Sequence, residues 1–160
     1  MLARRRIREA AINQISAIPN SLINRVSGFF SGNIPLDWLP HVNVSTSITE
    51  YSDHPEAMRE SNPLRTLDLT FEITTAGLDA LVDAESIALE IEQVIPTSRL
   101  IAPWVSIISI KSSEIEQGHG AAGVDLGWAK ITQTFECLFL QYGDRPGPWP
   151  GDDPDDYTED

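Results

Sequence analysis

Reactive side chains are few in this chain of 160 residues, and their spacing brings little chemistry together. The three histidines are His41, His54 and His119. None stands four residues from another, the spacing that sets two zinc ligands on one helix face. Cys137 is the single cysteine; it lies within an apolar–polar alternation, where a thiol packs far more often than it attacks. Gly118-His119-Gly120 reads as a turn. Gly118, Gly120 and Gly123 have the letters of a dinucleotide fingerprint, but no helical pattern follows them. No nucleophile elbow and no P-loop occurs. Asp68 and Glu72 share the wet face of one expected strand, roughly 13 Å apart along it, too far to share a proton. Glu114 and Glu116 flank an expected loop, and a solvated face is the default for all these acids. No residue is therefore assigned a catalytic, cofactor-binding or metal-binding role, and the expectation is a protein that is not an enzyme and needs no cofactor.

Arg4, Arg5, Arg6 and Arg8 form the one basic cluster. Without interleaved aromatic residues it is weak evidence for nucleic-acid recognition. A solvated helix end or a salt-bridged contact between subunits fits it better. The formal charge of −13 points the same way, since such a surface repels phosphate. Residues 144–160 hold −6 of that charge, leaving −7 on the rest.

The elements that must position these residues follow from periodicity. Ile7, Ala11, Ile15 and Ile18 mark one stripe of an opening amphipathic helix that stops at Pro19. A basic helix lying on a membrane surface is its rival, weakened by the lack of aromatics on the apolar side. Residues 24–30 admit a short strand, and residues 31–40 read as an irregular connection. From His41 onward Val42, Val44, Thr46 and Ile48 alternate with polar residues, predicting a strand. Residues 51–63 form a polar loop. Leu67, Leu69, Phe71 and Ile73 alternate with Asp68, Thr70, Glu72 and Thr74, the mark of a strand with one buried face and an antiparallel neighbour. A second helix carries Leu81, Ala84, Ile87, Ala88, Ile91, Val94 and Ile95 inward, capped near Asp79 or Asp83 and stopped by Pro96. Residues 104–110 predict a further short strand, 111–127 a Gly-rich loop, and 131–140 a closing strand with Ile131, Gln133, Phe135, Cys137 and Phe139 on one face.

The fold class is therefore α/β (α+β): about four mostly antiparallel strands with two helices packed on one face. Residues 1–143 make one domain, and residues 144–160, rich in Pro and Asp, are expected to stay mobile and disordered. One cysteine excludes an internal disulfide and fits a reducing compartment. No apolar run reaches the ~20 residues of a membrane span, and Asn13, Gln14 and Ser16 break any signal-peptide core after the arginines.

The stretch from Arg65 through Ile73, the acidic helix from Leu78 to Glu92, the Arg-rich opening helix and the closing strand from Ala129 to Glu136 together resemble the tail terminators of long-tailed (siphovirus-like) phages, the minor tail protein U-like group. The resemblance runs over residues 4–140 in element order and rests on pattern, with no signature motif. It implies a structural virion protein at the neck-proximal end of the tail, assembled in the host cytoplasm. Such a protein forms a homo-oligomeric hexamer ring that caps the tail tube protein, stops tube polymerisation and offers a head-joining surface to a head-side connector protein. DNA passes through the ring without specific binding, and no membrane is involved. In such a ring Arg4, Arg5, Arg8 and Arg65 are candidates for subunit contact, and Asp68 and Glu72 for the lumen, where acids would repel passing DNA. The alternatives are a head-completion or neck connector ring, a generic acidic adaptor domain, and a small hydrolase or nucleotide-binding enzyme.

Overall fold

A computed structural model describes residues 2–51, 64–105, 107–119 and 127–140. Helix α1 (Leu2–Ser16) leads into strand β1 (Arg25–Gly28), a 3-10 turn (Leu36–Trp38) and strand β2 (His41–Tyr51). Strand β3 (Leu64–Ala76), helix α2 (Ala80–Val94), strand β4 (Ile107–His119) and strand β5 (Gly127–Leu140) follow. The strands form one five-stranded sheet in the order β1-β2-β3-β5-β4. Only β1 and β2 pair in parallel; every other pair is antiparallel.

Alternation decides which face is dry. On β3, Leu67, Leu69, Phe71 and Ile73 are fully buried, and their β5 neighbours Phe135, Cys137 and Phe139 join them. Val42 and Val44 extend this layer onto β2. Helix α1 packs over β1 and β2, and α2 over β3 and β5, so the two apolar stripes close one core on one side of the sheet. Phe71 and Phe135 meet edge to face in its middle, with ring centroids 5.6 Å apart. Gln133 is the polar member of the layer: its Nε2 donates to the Ala88 carbonyl of α2 at 3.1 Å. The helix starts after Asp79, as expected, although the Asp79 side chain makes no capping hydrogen bond.

The expected class, mostly antiparallel strands with two helices on one face, is the one observed; the sheet counts five strands because residues 25–28, which admitted a short strand, pair with β2. One expectation requires correction. Residues 111–119 are not loop but the second half of β4, so Gly118 and His119 lie in a strand rather than a turn. A bulge between Ile110 and Ser112 shifts the phase of the alternation there, which is why the pattern reads as irregular. Of the expected polar loop at 51–63, Tyr51 instead ends β2, and the remainder of that loop, residues 120–126 of the expected Gly-rich loop and the acidic segment 144–160 lie outside the described residues.

Candidate assembly surfaces

The face of the sheet away from the helices divides into two regions. Over β1 and β2 the connecting segment folds back as a cover. Asn43 clamps it: Oδ1 accepts from the Phe30 backbone N–H and Nδ2 donates to the Phe30 carbonyl, both at 3.0 Å. Phe30, Trp38 and His41 then pack ring against ring, with centroids 5.1–6.0 Å apart. His41 Nε2 shares a 2.9 Å hydrogen bond with Ser27 Oγ. Burial lowers the His41 pKa below its ordinary 6.5, the Arg25 charge lowers it further, and Glu72 opposes them.

Over β3, β5 and β4 nothing among the described residues covers the sheet. Thr70, Thr132, Thr134 and Ser112 make a flat polar wall here, set with charges. Lys111 Nζ reaches across β5 to Asp68 at 3.1 Å, and Lys130 Nζ lies 3.2 Å from Glu72. Both candidate lumen residues thus stand on the uncovered face as the alternation requires, and each carries a lysine partner. Glu114, Glu116 and Glu136 on the same wall make no ion pair among the described residues.

The arginines separate into different settings. Arg4 and Arg8 lie over the Phe29 ring, at 5.8 and 4.5 Å from its centroid. Arg5 instead bonds Glu9 at 2.9 Å. Arg65 stands on β3, two strands in from the β1 edge, and shares the helix-side parity of Leu67; it is half-buried and is not part of the Arg4–Arg8 patch. Sequence reading missed Arg25, whose guanidinium sits 3.8 Å over the Trp38 ring. It is isolated in the sequence, and only the pairing of β1 with β2 brings it to this edge.

Among the described residues the groups able to do chemistry lie apart or are sealed. A notch of about 380 Å³ between Gly77, Leu78, Leu81, Gln117, Gly118 and Trp128 holds no titratable group. Among the described residues no cluster of three His, Cys, Asp or Glu side chains could hold a metal ion. Cys137 is sealed in the core, where burial pushes its thiol up to about 12, with Asp68 and Glu136 adding to the rise. No helix among the described residues is long and apolar enough to cross a membrane.

No protein-family model and no curated protein sequence matches the chain. Its fold is similar to that of a chain in the virion of a native gene transfer agent particle. The TM-score is 0.58, and the match covers 84% of this chain and 94% of that chain at 11% sequence identity. At that identity the likeness is one of fold.

Proposed function

We propose that this chain is a structural virion protein that forms a ring on the end of a phage tail tube, stops the tube from growing and presents a surface for joining the head. The observation that carries the reading is the one-sided covering of the sheet. Helices seal one face, while the other is a polar, charge-studded wall across three strands with an open strand edge beside it. A wall of threonines, serines and paired charges suits contact with water and with passing DNA better than burial. The open edge suits pairing with another protein. The fold likeness to a virion chain supports the same class, as does the element-by-element resemblance to tail terminators. In this reading the partners are other copies of the chain, a tail tube protein and a head-side connector, with no enzymatic activity.

Electron microscopy of particles made with and without this chain tests the proposal. Overlong, headless tails are expected in its absence. Tails of normal length that still join heads would remove it. A neck connector ring would share the fold and the wall; labelled antibody on isolated tails but not on isolated heads would decide for the terminator.

A further inference from the structure

We infer that the β1 edge and the β4 edge are the two halves of a single contact, made head to tail between copies of this chain; this rests on the ring reading above and specifies its surfaces. Arg25 pairs with His41, His41 with Thr74, Thr74 with Lys130, and Lys130 with Glu116. These five residues form one cross-strand row on the face away from the helices, with Arg25 at one edge of the sheet and Glu116 at the other. The next row on that face runs from Ser27 through Asn43, Glu72 and Thr132 to Glu114. Four strand spacings of ~4.8 Å separate the two ends by about 19 Å, so Arg25 and Glu116 of one copy never meet.

The basic edge is built for a carboxylate. Arg25 is stacked on Trp38, and Arg4 and Arg8 lie over Phe29. A stacked guanidinium still offers its in-plane N–H groups to an incoming acid. None of these three arginines makes an ion pair among the described residues. Phe29 adopts φ 52, a conformation that costs a bulky residue energy, and its ring is 46% exposed at this edge.

The acidic edge complements it. Glu114 and Glu116 are exposed on β4 without ion pairs among the described residues. Ile115 between them points to the helix side, yet it is 55% exposed because α2 packs over β3 and β5 instead. Pairing like edges around a two-fold axis would set arginine on arginine or glutamate on glutamate, which costs energy. Joining unlike edges removes both conflicts and covers Ile115. Because Arg25 and Glu116 share one cross-strand row, joining unlike edges adds little offset along the strands, as a head-to-tail contact that closes into a ring requires.

Charge reversal tests the contact. R25E sets an acid against Glu114 and Glu116 of the next copy, and the double variant E114K/E116K sets lysines against Arg25. Each variant alone is expected to self-associate at least about tenfold more weakly than wild type by sedimentation equilibrium, with an unchanged far-UV spectrum. An equimolar mixture of the two restores complementarity at every contact if copies alternate around the ring, acid on lysine at one contact and arginine on acid at the next. It is therefore expected to associate measurably more tightly than either variant alone, by about threefold or more. A wild-type chain that stays monomeric at every concentration, variants that associate like wild type, or a mixture without rescue would each overturn the contact. Tail length measured with the same variants separates this from the terminator reading: variants that associate normally and still cap tubes reject the contact alone.

Discussion

Gly118 lies directly beneath the indole of Trp128, so that a Cβ on Gly118 would sit 2.7 Å from the ring's Cε2 and Nε1. The two residues are cross-strand partners on the outer wall. Glycine is needed here for closeness of approach, with no call on unusual backbone angles. Gly118→Ala is expected to lift the ring and to cost about 1 kcal/mol, the lower end of overpacking because Trp128 is 39% exposed. A change in tryptophan emission that is lost in the Trp128→Phe background would check it.

Phe71 and Phe135 anchor the contact between the two central strands and the helix layer, and both are fully buried. Phe135→Ala is expected to cost about 3–5 kcal/mol, whereas Phe135→Leu is expected to cost under about 1.5 kcal/mol. Urea titration of the two variants would reveal the difference. Equal losses would mean that the ring geometry, rather than filled volume, sets the cost.

His41 makes folding sensitive to acid. Its pKa is lowered in the folded state, so the unfolded chain takes up the proton more readily. The stabilising contribution is complete above the ordinary value of 6.5 and is lost as pH falls through the lower folded value. The urea midpoint is expected to drop as pH falls below 6.5, and His41→Asn is expected to flatten part of that slope. A slope identical in the variant would assign the acid sensitivity to carboxylates alone.

Cys137 is expected to resist alkylation. With its thiol pushed up to about 12 and its side chain sealed between the sheet and the helices, thiolate is scarce and reagent is excluded at mildly alkaline pH. Iodoacetamide is expected to modify the chain only in denaturant. The raised value has a second effect: stability linked to this thiol is present below its ordinary value of 9.0 and fades as pH climbs toward 12. Rapid labelling of the native chain would show that the core opens around β5.

Much of this architecture is legible from residue pattern alone, because β2, β3 and β5 each carry a sustained alternation and both helices a clear apolar stripe. The second half of β4 is not, since Ser112, Ser113, Glu114 and Gln117 lie on an exposed edge where burial imposes no pattern. The cover over β1 and β2 is equally hidden. Asn43 reads as one more polar residue on a wet face, and only the folding back of Phe30 makes it a clamp. Among candidate site residues, Asp68 and Glu72 fall on the uncovered wall because parity dictates it, while Arg65 falls on the opposite parity from them. Arg25 gains meaning only from strand register, which composition does not encode.

The extra residue in the bulge of β4 acts as a phase inverter. Up to Ile110 the even-numbered residues look toward the helices; beyond Ser112 the odd-numbered ones do. Deleting Lys111 would close the bulge and leave Ser112 opposite Thr134 with the far half facing as before, whereas deleting Ser113 from the regular ladder would reverse everything beyond it, swinging Glu114 and Glu116 under the helix layer and turning Ile115 out among the threonines. The sign of that border is written in a count of residues rather than in their chemistry. Losing one residue from the regular ladder beyond the bulge would be more damaging to this face than the exchange of several side chains.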